Sequence, residues 1–326
     1  MTKYIVTGAA GFIASRVAEM LLSEGHRVIG IDDLNDAYDV RMKEFRLRQL
    51  ESQPGFSFHK IDIADREDVF ALAEQAQGAG AVINLAARAG VRASVQDPWV
   101  YVDTNMTGTL NLLELCRRLE IPKLILASTS SVYGQDVPLP TPEDASSNLP
   151  LQPYAASKIG AEAMAHAYHF LHGIDISVLR YFTVYGPAGR PDMVMFRFAK
   201  WLLDGTPLHL NGDGSQSRGF TYVDDIARGT IQALRPLGYQ TINLGGHETI
   251  TIRDLIDLME TITGKQAEII HHPFPKADML TNHADTQKAV ELLNWQPEVS
   301  LEEGVRRTVQ WYLDHYSWAK DLDVGL

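Results

Sequence analysis

Thr7-Gly8-Ala9-Ala10-Gly11-Phe12-Ile13-Ala14 lies between a short apolar run, Lys3–Thr7, and a helical pattern in which Ile13, Val17, Met20 and Leu21 recur until Gly25. A strand, a glycine turn and a helix in that order bring backbone N–H groups and the positive end of a helix dipole onto a pyrophosphate. Gly8 lets the chain turn, Gly11 admits the phosphates, and Phe12 and Ile13 open the helix. Ala14 stands where a third glycine is usual, and its methyl tightens the helix–strand contact. Asp32 ends the next apolar run 21 residues after Gly11, where a carboxylate grips the adenosine ribose hydroxyls. A 2′-phosphate would meet both Asp32 and Asp33, so the pattern favours NAD over NADP. Asp62 and Ile63, after the third run, are placed to flank the adenine; Asp62 equally suits a helix cap.

The same alternation continues for 180 residues. Strand candidates are Arg27–Asp32, Phe56–Ile61, Ala81–Leu85, Lys123–Ser128 and Asp175–Arg180, with helices expected over 66–77, 100–119 and 154–172. Apolar runs alternating with 3.6-period segments predict an α/β, Rossmann-type doubly wound parallel sheet with helices on both faces. Between Asp136 and Pro153 five prolines break the pattern, which reads as a functional loop. Past Arg180 come a Gly/Pro-rich segment, a helix over 195–204, short strands and three more helices. Thr251 with Asp254 and Ser300 with Glu303 read as capping boxes. We expect residues 1–181, with about 219–248, to bind the dinucleotide, and 182–218 with 249–326 to form a smaller C-terminal α/β substrate-binding domain.

The 326 residues carry a formal charge of −12. That field repels phosphate backbones and anionic lipid, excluding nucleic acid and membrane as partners. A single cysteine, Cys116, cannot form an internal disulfide and reads as a core residue, which points to a reducing, cytoplasmic setting. No apolar run approaches the roughly 20 residues of a membrane span, and Tyr4–Val6 is cut at once by Thr7-Gly8, unlike a signal peptide. His271-His272 would point to opposite faces of a strand without Cys or carboxylate companions, so no metal is expected.

Tyr154 and Lys158 share one helix face at i, i+4. An ammonium about 5 Å from a phenol favours the phenolate by roughly 3 kcal/mol, about two pKa units, at an effective dielectric near 20. A tyrosine so tuned serves as acid or base near neutrality. Tyr316 and Lys320 repeat the spacing and read as a solvated helix face. Position separates the pairs, because Tyr154 follows a strand ending in Ser128-Thr129-Ser130-Ser131-Val132-Tyr133-Gly134, and ligands gather at the carboxyl ends of parallel strands.

Together these features resemble the extended short-chain dehydrogenase/reductase family, the NAD-dependent epimerases and dehydratases of nucleotide sugars, over nearly the whole chain. The matching residues are the glycine turn, Asn84-Leu85-Ala86-Ala87, Asn105, the 128–134 strand end, Tyr154 with Lys158, Arg180-Tyr181-Phe182, and Arg218 through Asp225. The resemblance implies that Tyr154 is the general base and that Lys158 holds the nicotinamide ribose. It implies that Thr129 bonds the sugar 4-hydroxyl and that Leu85, Ala86, Ala87 and Asn105 line the cofactor. Dehydratases of the family carry Asp-Glu directly after that threonine; Ser130-Ser131 here lack the acids for 4,6-dehydration.

Three segments resemble the members that epimerise UDP-hexuronates: 35–39, 88–92 and 181–193, the last departing from the pattern at Ala188, where Trp is common. This implies a tightly bound NAD with no net consumption, and conversion of UDP-glucuronate to UDP-galacturonate through a 4-keto sugar. Ser130, Ser131 and Thr183 are the candidate uncharged donors to the carboxylate; Thr183 also fits simple packing at a strand end. Arg88, Arg190 and Arg218 would offset the substrate's charge. Asp278, in Lys276-Ala277-Asp278 with Ala277 replacing the usual glycine, matches a nucleoside contact. A homodimer through the helices at 100–119 and 154–172 is also implied. The competing readings are a 4-epimerase of a neutral UDP-hexose and a UDP-glucuronate decarboxylase. A non-catalytic NAD-sensing protein is disfavoured, since tyrosine and hydroxyl cluster are intact.

Overall fold

The computed structural model describes residues 1–276 and 278–325. The first half contributes β1 (Lys3–Thr7), β2 (Arg27–Asp32), β3 (Phe56–Lys60), β4 (Ala81–Asn84), β5 (Lys123–Thr129) and β6 (Asp175–Tyr181). Four short strands, β7 (Val184–Tyr185), β8 (Leu208–Asn211), β9 (Ser217–Gly219) and β10 (Thr221–Tyr222), precede β11 (Tyr239–Leu244). The main sheet has seven strands in the order β11-β6-β5-β4-β1-β2-β3, and every neighbouring pair is parallel. The order reverses between β1 and β4, and ligands bind beyond the carboxyl ends at such a switch point.

Helices connecting the strands are α1 (Phe12–Ser23), α2 (Val40–Glu51), α3 (Arg66–Ala71), α4 (Ala73–Ala76), α5 (Ala93–Gln96), α6 (Trp99–Tyr101), α7 (Gly108–Leu119) and α8 (Pro153–His172). After β6 follow α9 (Val194–Asp204), α10 (Val223–Gln232), α11 (Ile252–Thr263), α12 (Gln287–Leu293), α13 (Leu301–Asp314) and α14 (Tyr316–Ala319), with strands β12 (Thr249–Thr251), β13 (Ile269–His272) and β14 (Thr281–Asn282). Alternate strand residues feed two cores. Val82, Leu124, Leu126 and Val178 pack with Leu112, Leu113, Cys116 and Ala165 on one face. Val6, Ile83, Ile125 and Leu179 pack with Val17, Leu21, Ile226 and Trp295 on the other. Each fully buried Leu or Ile contributes about 2 kcal/mol. Burial pushes the Cys116 thiol up to about 12, which makes it inert.

A third core, with Phe196, Trp201, Met259, Val305 and Tyr312, fills the second half. Met42 of α2 packs into it, so α2 belongs to both halves. The sequence pattern did not reveal this helix. Its buried positions include Lys43 and Arg46 beside Met42, Leu47 and Leu50, and charged residues read as a solvated face.

Two expected helices are interrupted. The first breaks at Leu72 into α3 and α4. The second contains a π-helical turn, Val102–Thr107, that carries the buried Asn105; such bulges re-aim a side chain at functional sites. Both expected caps form, with Thr251 accepting from the Asp254 N–H at 3.1 Å and Ser300 from the Glu303 N–H at 3.3 Å. The proline-rich loop is tied to the second half: the Thr141 N–H donates to the His283 carbonyl at 2.8 Å, and the Asp285 N–H to the Thr141 carbonyl at 2.9 Å. Among the described residues no helix is long and apolar enough to cross a membrane. The His272 ring pairs with that of His209 at 2.8 Å, and His271 with the Gly212 carbonyl at 2.9 Å.

Candidate active site

The glycine turn is closed by its own backbone. Gly11 N–H donates to the Gly8 carbonyl at 2.7 Å, and Gly8 has φ +69°. A Cβ at Gly8 would stand 2.8 Å from the Ala86 nitrogen, so Leu85 and Ala86 pass over the turn at a distance only glycine allows. Thr7 locks that approach, donating to the Asn84 side chain at 2.8 Å and accepting from the Ala86 N–H at 3.1 Å. Gly11 caps α1 without a side-chain hydrogen bond, which leaves N–H groups of the first turn, at Phe12 and Ile13, for an anion. Asp32, buried at the end of β2, accepts from the Ala10 N–H at 3.2 Å and the Leu34 N–H at 2.8 Å. Burial pushes its carboxyl up, opposed by Lys43.

Lys43 stands 3.4 Å from Asp32 and 3.7 Å from Asp33, so the two acids do not present a bare double charge. Arg46, also on α2, donates to the carbonyls of Ala10, Ala188 and Gly189 at 3.2, 2.7 and 3.0 Å. It therefore clasps the glycine turn to the loop after β7. Asp62 is exposed, and its carboxylate accepts from the Ala64 N–H at 2.9 Å. The cap of α3 is Asp65, which accepts from Glu67 and Asp68, so the capping alternative for Asp62 is set aside. Ile63 is buried against Gly108, and its carbonyl accepts from Asn111 at 2.9 Å. These features fit a dinucleotide: a cradle closed to any Cβ, uncapped N–H groups and a buried carboxylate at the end of the next strand.

Tyr154 opens α8 just behind Pro153. One turn on, the buried Lys158 ammonium donates to the Ala127 carbonyl at 3.0 Å, at the end of β5. Asn105 braces this corner, donating to Ser157 at 2.9 Å and exchanging bonds with the Arg88 backbone at 3.0 Å. Burial raises the Tyr154 phenol above its ordinary value, while the Thr129 hydroxyl and the Arg190 guanidinium act to lower it. The i, i+4 spacing predicts that the Lys158 ammonium lowers the phenol, with a cationic nicotinamide ring acting the same way; here Thr129 and Arg190 act in that direction and burial outweighs them. The ammonium gives one of its three N–H groups to Ala127, and burial brings its pKa down to about 8 against the field of Glu162. Glu162 in turn accepts from Arg180 at 2.7 and 3.1 Å and from Ser128.

Thr129 ends β5 in extended conformation and caps the short 3-10 turn Ser130–Tyr133 through the Ser131 N–H at 3.1 Å. Its hydroxyl lies 3.2 Å from that of Ser131. Ser130 is buried and accepts from the Asn282 amide at 2.8 Å. Thr183 and Arg190 line one cleft with Phe12, Met193, Phe196 and Phe220.

Arg88, Arg190 and Arg218 do not form one set. The Arg88 guanidinium donates to Asn35 at 3.0 Å and faces Asp33, on the cofactor side. Arg190 lies over the Tyr38 ring at 5.2 Å and pairs with Asp192 at 2.6 and 3.0 Å. Arg218 donates to the carbonyls of Ser217, Met279 and Leu280 at 2.7, 2.7 and 3.1 Å. Burial lowers its pKa, Asp278 opposes this, and Arg92 adds to it. Arg92 pairs with Asp278 at 2.6 Å, and the Asn211 amide oxygen, turned toward it, accepts at 3.0 Å. Arg92 in turn lowers the pKa of Arg197, which burial already depresses. The cationic centre near Asp278 is thus Arg92, Arg197 and Arg218. Arg92 was quoted in the 88–92 segment but not singled out, and Arg197 gave no signal on its helix. Ala277 lies outside the described residues.

The NAD dependent epimerase/dehydratase family model matches residues 4–245, and the chain belongs to that family. It is 53% identical to a UDP-glucuronate 4-epimerase of Thermodesulfobacterium geofontis, over 99% of this chain and 100% of that one. Among solved structures it is similar to the UDP-glucuronic acid 4-epimerase of Bacillus cereus in complex with UDP-glucuronic acid and NAD, at TM-score 0.91 and 38% identity, covering 97% of this chain and 100% of that one. A UDP-glucose 4-epimerase of Thermotoga maritima with UDP-glucose matches at TM-score 0.89 and 32% identity, over 97% and 100%.

Proposed function

We propose that this chain is an NAD-dependent UDP-glucuronate 4-epimerase that interconverts UDP-glucuronate and UDP-galacturonate. The observation that carries the reading is the surroundings of Tyr154, which faces the hydroxyl of Thr129 and the guanidinium of Arg190, with serines at the two positions after Thr129. The glycine turn and Asp32 would hold NAD, which would supply the acceptor and donor of the C4 hydride. Tyr154 takes the C4 hydroxyl proton and returns it to the same oxygen once the 4-keto sugar has turned over in the site and its opposite face at C4 has been reduced, and Thr129 holds that hydroxyl in line. The 4-keto sugar formed from a uronate is a β-keto acid prone to lose CO₂. Ser130, Ser131 and Thr183 can hold the carboxylate by hydrogen bonds without protonating it, and Arg190 offsets its charge. Arg92, Arg197 and Arg218 suit the diphosphate, with Asp278 beside them for the nucleoside.

The division into 1–181 with about 219–248 and 182–218 with 249–326 is part of the proposal; the pairing of β11 with β6 supports it. So is a homodimer through the α6–α7 and α8 helices, supported by Trp99 and Phe170, which are 77% and 80% exposed. A cytoplasmic setting rests on the single, buried Cys116.

Purified protein is expected to convert UDP-glucuronate without added NAD. Tyr154→Phe should lose at least about 10³-fold in rate while keeping its NAD. Release of CO₂ with a UDP-pentose, or turnover of neutral UDP-hexoses alone, would overturn the reading.

A further inference from the structure

We propose that Asn282 is a positioning residue that sets sugar specificity, by holding the Ser130 hydroxyl as a donor toward the carboxylate of the substrate. The inference rests on the UDP-hexuronate reading above. Asn282 ends β14, which pairs in parallel with β9 so that Asn282 stands beside Arg218. Arg218 grips the carbonyls of Met279 and Leu280 just before that strand. From this anchored position the Asn282 side chain reaches Ser130, donating Nδ2–H to Oγ at 2.8 Å. Both residues are buried, 8% and 4% exposed.

A serine hydroxyl has one proton and two lone pairs. The amide N–H of Asn282 occupies a lone pair, so the Ser130 proton is left to donate. A carboxylate can only accept, and a hydrogen bond to a charged acceptor is about twice as strong as a neutral one. The 6-hydroxyl of a neutral sugar both donates and accepts, and gains less from a fixed donor. An aspartate at 282 would reverse the polarity: it would draw the Ser130 proton to itself and add a negative charge behind the site. Four residues, 279–282, thus connect the arginine beside Asp278 to the hydroxyl next to Thr129.

The test is equilibrium binding of UDP-glucuronate, UDP-glucose and UDP to the NAD-loaded protein. Asn282→Ala should weaken UDP-glucuronate about tenfold relative to UDP-glucose and leave UDP unchanged. Ser130→Ala should give the same loss, and the double variant no more than either alone. Equal losses for the two sugars, or losses that multiply in the double variant, would overturn the inference. Should Asn282→Ala fail to fold, Ser130→Ala and the near-isosteric Asn282→Asp carry the test; retention of the wild-type preference in either defeats the proposal. A wild-type protein without preference for the uronate fails the substrate reading itself, and this inference with it.

Discussion

Lys158 sits in a buried row of charges. Behind it on α8 is Glu162, and on β6 is Arg180, whose guanidinium lies 4.7 Å over the Tyr133 ring; Tyr239 on β11 donates to the Glu162 carbonyl at 3.3 Å. The ammonium is depressed to about 8, so it is charged below that pH and neutral above it. Turnover that needs the charge should be flat near pH 7 and fall as pH rises through about 8. Glu162→Gln removes the one group that opposes the depression, and should move the fall to lower pH by about one unit. It also leaves Arg180 buried without a counter-charge, at a cost of about 3 kcal/mol or more, seen as a lower Tm. A pH–rate profile unmoved in this variant would separate Glu162 from Lys158. The Tyr154–Lys158 spacing was legible in the sequence, but the desolvation that reverses the expected shift was not, because i, i+4 spacing says nothing about burial or about Ala127.

At the level of elements, α1 and the glycine turn could be read directly because their chemistry is mostly local: Gly8 and Gly11 answer to contacts within their own loop and with the 85–86 backbone. α2 could not. Lys43 and Arg46 are buried only because Asp32, Asp33 and the carbonyls of Ala10, Ala188 and Gly189 come from distant segments to meet them. For the same reason Arg92 and Arg197, in the loop after β4 and on α9 respectively, could not be joined to Arg218 before the chain was folded. Arg46→Met should remove the clasp between the glycine turn and the 188–189 loop. The expected outcome is a several-fold drop in NAD carried per chain after purification, read from the ultraviolet spectrum of the nucleotide released on denaturation. A full complement of NAD would show the clasp to be dispensable.

For the molecule as a whole, the −12 charge is met by arginines held in separate places, with Arg88 by Asn35, Arg190 by Asp192, and Arg92, Arg197 and Arg218 about Asp278. Carboxylates hold Arg190 and Arg92, an amide holds Arg88, and backbone carbonyls hold Arg197 and Arg218, so a trianionic substrate meets a prearranged site instead of mobile surface lysines. The exposed apolar side chains Val95, Trp99, Phe170 and Leu171 lie outside both halves of the core. Trp99→Glu is expected to give a monomer by light scattering while retaining NAD; an unchanged mass would place the dimer contact elsewhere. Placing Met42 in the core of the second half while Lys43 faces Asp32 also has a kinetic meaning. We expect NAD release to require α2 to lift from Asp32, and that movement would open an apolar core. The residence time of the cofactor should therefore follow a sub-global opening of the fold, with the α2 amides exchanging hydrogen for deuterium at the pace at which labelled NAD is replaced.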